Sequence, residues 1–326
     1  MNSSNKPGRI TMQNQPLNNN EITTELVRDL IKEKRSERRW KNIRFFVVIA
    51  LLIGITLLVF SQASAPTMSD DADKGYVALI RLRGSIGPGE DFSAENVLPL
   101  LKEAFKDKRA KGVVLDINSG GGTPVQAAII HDAIIEFKKQ YHKKVIVVGE
   151  DTMASGAYYV AVAADKIYVN PNTITGSIGV IMKEFGFPDL IKKIGVERRV
   201  FASGANKDRL DPFLPQTNED AIKIRQVIGE IHSNFQQAVQ LGRQGKLHGN
   251  PDNLFTGDFW SGETALKLGL VDALGNLTNV LHDEFHVSGY KDYSQQQSVL
   301  KNALGQLGMA LDLALTKEHV KVLEQI

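Results

Sequence analysis

Val145-Ile146-Val147-Val148-Gly149-Glu150, followed after Asp151-Thr152 by Met153-Ala154-Ser155-Gly156-Ala157-Tyr158-Tyr159, decides the fold. The first run is short, apolar and β-branched, the pattern of a buried strand. The second is a small-residue step leading into an apolar helix. A strand that turns sharply into a helix lifts the residue at the turn clear of the sheet, and here that residue is Ser155. Gly156 and Ala157 leave room for another backbone to approach. The first N–H groups of the helix have no partner within it, so they face whatever Ser155 faces.

The same alternation extends outward. Tyr76 to Gly87 reads as a strand, and Ser93 as the cap of a helix through Phe105. Gly112–Ile117 is a second buried-type strand, followed by the turn Asn118–Gly122 and a helix from Pro124 to Tyr141. Strands at Lys166–Val169 and an extended run at Val196–Phe201 follow, with a helical segment at Asp189–Ile194. A long amphipathic helix spans Asn218–Leu241, its inner face marked by Ile222, Ile224, Val227, Ile228, Ile231, Phe235 and Val239. Further helices begin at Ser261 and Leu277. Strands and helices in alternation predict an α/β fold with βαβ crossovers and a mostly parallel sheet.

Before this domain lies Phe45–Phe60, sixteen residues without a charge. With Ser61-Gln62-Ala63 it approaches the roughly 20 residues needed to cross a bilayer. Lys32 to Arg44 holds seven Lys/Arg and two Glu, net +5, which leaves about −3 for the remainder of a chain of net charge +2. A basic flank before an apolar run predicts a cytoplasmic N-terminus and an exported C-terminal part. The expected organisation is therefore a cytoplasmic segment 1–44, a transmembrane anchor 45–63, a linker 64–75, a catalytic domain 76–286 and a tail 287–326. The rival for 45–63 is a cleaved signal peptide ending at Ala63-Ser64-Ala65, although its charged leader is far longer than usual.

Composition removes several classes. There is no cysteine, hence no thiol nucleophile, disulfide or cysteine metal site. The charge distribution offers no nucleic-acid groove. Of the seven histidines, none lies between Ser155 and His232. His131 sits on the helix after the glycine turn, so a Ser-His-Asp triad has no support in the spacing. A lysine is the other available base. Lys207 lies in the small-residue segment Ser203-Gly204-Ala205-Asn206-Lys207-Asp208. A free lysine titrates near about 10.4, so burial must lower it before it can act near neutrality. Asp208 would oppose that shift, and is expected to point away.

INSGGG at Ile117–Gly122, MASGAYYVAVAADKIYVNPNTITGSIGV at Met153–Val180, SGANKD at Ser203–Asp208 and WSGETALKLGLVDALGNL at Trp260–Leu277 together resemble the signal peptide peptidase SppA family of membrane-bound serine peptidases. The resemblance runs from about Tyr76 to Phe285 and is to the short, single-repeat members. It implies a ClpP/crotonase-like fold, with Ser155 as nucleophile and Lys207 as general base. It further implies Gly156 and Gly122 (or Gly121) as oxyanion donors, and Ser177 as a hydroxyl that orients the lysine. One departure is Gly120, where the family usually has Pro before the paired glycines. The resemblance also implies a ring-shaped homo-oligomer that pairs Ser155 with Lys207 of an adjacent subunit. No metal or cofactor is expected. The expected substrates are peptides, cleaved signal peptides above all, on the outer side of a bacterial plasma membrane. The alternatives are a peptidase devoted to one membrane-protein partner, a crotonase-like acyl-CoA enzyme and a non-catalytic membrane scaffold.

Overall fold

The computed structural model describes residues 39–40, 42–54 and 75–294. The chain divides into two compact units, 1–65 and 66–326. In the first, residues 42–54 form helix α1, whose apolar side chains, Phe45, Phe46 and Leu51 among them, are exposed. The expected anchor thus begins as helix, but its residues 55–63 lie outside the described residues. Among the described residues no helix is long and apolar enough to cross a membrane.

The second unit is built on an eight-stranded sheet ordered β6-β5-β3-β2-β1-β8, with β4 and β7 branching from β3. The central strands are β1 (Tyr76–Arg83), β2 (Ala110–Ser119) and β3 (Lys144–Ala154), all parallel. Helices α2 (Ala94–Lys106) and α3 (Pro124–Tyr141) connect them. Ser93 caps α2 by accepting the Asn96 N–H at 3.4 Å, and Pro124 occupies the first turn of α3. After β3 come α4 (Gly156–Ala161), β4 (Lys166–Val169) and β5 (Ile174–Gly176). These are followed by α5 (Pro188–Lys193), α6 (Asn218–Gly242), α7 (Pro251–Leu254), β6 (Phe259–Ser261) and α8 (Gly262–Lys267). The last elements are β7 (Ala273–Leu274), α9 (Leu277–Asn279), a π-turn at Val280–Glu284 and β8 (Tyr290–Asp292).

Successive side chains of a strand point to opposite faces, and here both faces are covered. Ala78, Ile80, Leu82, Val113, Leu115, Ile117, Val145 and Val147 join the larger core with residues of α2, α3 and α4. Val77, Leu79, Val114, Ile146 and Val148 pack instead against Val280, Leu281 and Phe285. That explains why β1 to β3 read as continuous apolar runs. The C-terminal segment is clipped onto the sheet by Glu284, which accepts from Lys144 Nζ (2.5 Å), Lys166 Nζ (2.6 Å) and the Tyr168 hydroxyl (2.6 Å). β8 then pairs with β1, so the sheet takes in residues 290–292, beyond the domain end expected at 286.

The base of α6 is held by Arg243, 1% exposed, which donates to the Gly269 carbonyl and to Asp272. The rest of α6 departs from expectation. Of the predicted inner face only Phe235 and Val239 are buried. Ile222 is exposed, and Ile224, Val227, Ile228 and Ile231 are half-buried at most. No residue from 179 to 234 is buried. Residues 196–202 carry no regular structure, so the extended run expected there forms no strand. An amphipathic period reports that a face is apolar, but not that the same chain supplies what covers it.

Burial alone would raise the Glu284 carboxyl, but its three donors outweigh that and hold it down at about 2. A depressed carboxylate stabilises above its unfolded value and stops doing so as pH falls through the folded one. Glu284→Gln should therefore cost about 1–3 kcal/mol in denaturant unfolding at pH 7. The gap from the parent chain should close as pH drops from about 5 towards about 2.

Candidate active site

Two strand ends and one turn make the site. β3 and β5 pair in parallel, with Ala154 opposite Gly176. The next residue of each strand is a serine in the left-handed region, Ser155 at φ 54° and Ser177 at φ 50°. Non-glycine residues seldom adopt that conformation, and holding one there costs on the order of 1–3 kcal/mol. It is held by backbone hydrogen bonds. The Ser155 N–H donates to the Gly176 carbonyl at 2.8 Å, and the Ser177 N–H to the Asp258 carbonyl at 2.7 Å. Both serines are half-buried, and neither hydroxyl has a hydrogen-bond partner among the described residues.

β2 ends next to β3, and its following turn reaches the same edge. Gly121 donates its N–H to Ser119 Oγ at 3.1 Å, which occupies that group. Ile86 clamps the turn on both sides, donating to the Gly121 carbonyl at 2.9 Å and accepting from Thr123 at 2.8 Å. The Gly122 N–H between them makes no hydrogen bond among the described residues, nor does that of Gly156 at the start of α4. The two lie close together. A Cβ placed on Gly156 would sit 3.2 Å from the Gly122 nitrogen. The choice between Gly121 and Gly122, open in the sequence, thus falls on Gly122 as the free donor. Two neighbouring unpaired N–H groups beside a half-buried serine suit a developing oxyanion.

Lys207 is elsewhere on the surface of the same chain. It lies in a turn, its N–H bonded to the Gly204 carbonyl at 3.1 Å, and its side chain is exposed. It lines a surface hollow with Arg198, Phe201, Asn206 and Arg209, to which neither Ser155 nor Ser177 contributes. Its ammonium makes no hydrogen bond or ion pair among the described residues, with Asp208 or any other group. One chain therefore brings Ser155, Gly156, Gly122 and Ser177 together and leaves Lys207 apart.

The histidines offer no base in its place. His131 Nδ1 is 2.8 Å from Asp132, His282 Nδ1 is 2.8 Å from Asp283, and His286 bonds to the His282 carbonyl. His232 is bonded close to the site and was not singled out in the sequence. Its Nε2 lies 3.0 Å from the carbonyl oxygen of Ile178, the residue after Ser177. It shares a face of α6 with Gln236, but its partner is 54 residues away, a contact without local signal. Among the described residues no group of three His, Asp or Glu is placed to hold a metal ion.

Residues 137–285 match the sequence model of peptidase family S49. Over 234 residues the chain is 33% identical to an Enterococcus faecium protein named "Putative signal peptide peptidase SppA", covering 69% of this chain and 67% of that one.

The chain belongs to the S49 family of SppA-type peptidases.

The matched region holds Ser155, Gly156, Ser177 and Lys207, while Gly122 lies upstream of it. "Protease 4" of Haemophilus influenzae is 31% identical over 213 residues, which are 63% of this chain and 34% of that protein. A Brucella melitensis protein named "Na(+)/H(+) antiporter NhaA" is 44% identical over 214 residues, 64% of this chain. The chain spans only 29% of that protein's length, and the antiporter name is a statement about the whole of it.

A Cβ on Gly122 would meet the Ile86 carbonyl oxygen at 2.0 Å, whereas one on Gly120 meets nothing within 4 Å. Gly122→Ala should cost about 2 kcal/mol or more in thermal or denaturant unfolding, through a clash with backbone that cannot move aside. Gly120→Ala should stay within about 0.5 kcal/mol of the parent.

Proposed function

We propose that this chain is a membrane-anchored serine endopeptidase whose site closes between two copies. The observation that carries it is the left-handed Ser155 beside two unpaired N–H groups, with no base bonded to it among the described residues. Lys207 of a neighbouring copy takes the Ser155 hydroxyl proton as Oγ attacks a peptide carbonyl. The N–H groups of Gly156 and Gly122 hold the oxyanion. As the C–N bond breaks, the lysine returns that proton to the leaving amine. A water then attacks the acyl-serine, giving its proton to Lys207; as the C–Oγ bond breaks the lysine passes that proton to Oγ, which restores the serine and the neutral lysine. Ser177, which follows the strand paired with that of Ser155, holds the incoming lysine amine.

The exposed apolar stretch from 179 to 234 favours this reading. Ile181 is 75% exposed, Phe185 79% and Phe201 96%, and Phe201 lines the same hollow as Lys207. Large apolar side chains left exposed in this number are a mark of an interface. A second copy seated there would also remove water from Lys207, as a neutral lysine base requires. We further read residues 45–63 as a signal anchor. That puts the domain, with its ClpP/crotonase-like βαβ core, on the outer face of a bacterial plasma membrane. The substrates are peptides, remnant signal peptides among them.

Ser155→Ala and Lys207→Ala should each lower peptide hydrolysis by about a thousandfold or more. An equal mixture, after subunit exchange, should regain about a quarter of the parental sites, since each site takes its serine and its lysine from different chains. Full activity in Lys207→Ala would sink the dyad, and no recovery on mixing would sink the shared site. Turnover of an acyl-CoA substrate that survives Ser155→Ala would instead mark a crotonase-type enzyme.

A further inference from the structure

The sheet edge opposite Ser155 carries a basic face that has no part in the chemistry above. The central strands are parallel, so their first residues gather there. Tyr76 stands opposite Ala110, Gly112 opposite Lys144, Ile146 opposite Lys166 and Ala78 opposite Lys291. Helices α2 and α3 also end at this edge, at Lys106 and Tyr141. β3 runs for eleven residues from Lys144 to Ala154. At roughly 3.3 Å per residue, that sets the face about 30 Å from Ser155.

Its charge is out of proportion to the rest of the domain. Residues 101–111 hold five Lys/Arg against Glu103 and Asp107, and residues 138–144 hold four Lys and no acid, net +7 together. Over residues 75–294 there are 25 Lys/Arg and 26 Asp/Glu, net −1, which leaves −8 for everything else. Asp107 is turned inward, where it accepts from the hydroxyls of Tyr76 and Tyr293.

Some of these cations are committed within the protein. Lys138 pairs with Asp165 at 2.7 Å, Lys144 with Glu284 at 2.5 Å, and Lys143 donates to the carbonyls of Ala104 and Asp107. By contrast Lys102, Lys106, Lys108, Lys111 and Lys139 are exposed and make no hydrogen bond or ion pair among the described residues. A helix dipole favours a cation in the last turn, which accounts for Lys106 and Lys139. It does not account for Lys108 and Lys111, which lie beyond α2, or for Lys102, four residues before Lys106, a spacing at which like charges repel. Like charge crowded at one edge opposes folding and favours an anionic partner.

We infer that this face docks on anionic phospholipid headgroups. The chain enters the domain here, since Tyr76 is the first strand residue after the segment read above as an anchor. None of the exposed large apolar side chains lies in residues 101–111 or 138–144, whereas the core of a protein interface is apolar and depleted in lysine. Lysines are compact point charges on flexible stems, suited to phosphates that hold no fixed positions. The inference rests on the membrane-anchored reading for the choice of a lipid, but headgroup binding itself needs no anchor.

The chain has no cysteine, so a single introduced one can carry a fluorescent donor. Gln140→Cys places it on the basic face and Asn172→Cys past the far end of β4, both at exposed positions. Each full-length chain is reconstituted in vesicles of phosphatidylcholine, with or without phosphatidylglycerol, that carry a headgroup-linked acceptor. Attraction to anionic headgroups reaches about a Debye length, roughly 10 Å. At low salt, energy transfer from Gln140→Cys should therefore rise at least about twofold when phosphatidylglycerol is present. High salt should remove the rise, and Asn172→Cys should show less of it. Lys106→Glu, Lys108→Glu, Lys111→Glu and Lys139→Glu combined should abolish it, since each lysine lost weakens attachment by about fivefold. All four side chains are exposed and unpartnered among the described residues, so the fold is not at stake. The basic flank at Lys32–Arg44 is left intact in every variant, so a change belongs to the face.

Equal transfer with and without phosphatidylglycerol, or a rise that survives the quadruple variant, would overturn the inference. So would a changed oligomeric mass in that variant with no lipid effect, which would make the face a contact between copies. Flotation with vesicles of phosphatidylcholine alone, which carry no net charge, tests the anchor by itself. A chain that floats with them but shows no dependence on phosphatidylglycerol sinks the basic face and leaves the anchor. A chain that floats only when phosphatidylglycerol is present, and ceases to in the quadruple variant, sinks the anchor and leaves the face.

Discussion

The hydrogen bond from the Ser155 N–H to the Gly176 carbonyl, 2.8 Å long, is the constraint on which the site depends. It continues the β3–β5 pairing one residue past Ala154 and Gly176. It thereby fixes Ser155 in a conformation its side chain would not choose. Everything at the sheet edge takes its place from that point. α4 starts there, so the Gly156 N–H is left without a partner. Ser177 follows Gly176 with the same handedness, so it stands at the same strand edge as Ser155. The β2 turn, clamped by Ile86, supplies the second N–H. The parallel sheet beneath is buried on both faces, which makes this edge rigid enough to keep the strain.

The opposite condition holds for residues 179–234. They contain a capped helix, with Thr217 and Asp220 closing a reciprocal box, yet bury no side chain. Local order without burial is costly in water, because chain entropy is lost and apolar area stays wet. The proposed second copy answers both halves of that imbalance. It covers the apolar surface, and it carries a lysine to a serine that lacks a base. The one chain is then a rigid half-site joined to an unfinished arm, each completed by the other's counterpart.

The parts of this arrangement that could be read from the sequence are those with local causes. The β4 strand Lys166–Val169 follows from four residues in a run, Pro124 from the fixed φ of proline, and the elbow at Ser155 from the small residues around it. The pair Gly121 and Gly122 was legible only as a turn. Which of them keeps a free N–H depends on Ser119 Oγ, a side-chain choice that leaves no pattern. Glu284 and His232 were not legible as anchors, since their partners lie 54 to 140 residues away. The inner face of α6 misled for a different reason. Its period is correct, but nothing among the described residues buries Ile222. The lysine rests on family resemblance alone, because nothing among the described residues draws Lys207 to Ser155.

The absence of cysteine allows the central claim, that Ser155 and Lys207 meet only between copies, to be tested without background. Ser155→Cys and Lys207→Cys chains, mixed after separate preparation, are treated with a short thiol-specific bifunctional reagent and resolved by mass. The account predicts a cross-linked pair of chains in the mixture, with no internal bridge when both cysteines are placed in one chain at high dilution. A bridge within the single doubly substituted chain, with no cross-link between separate chains, would contradict it.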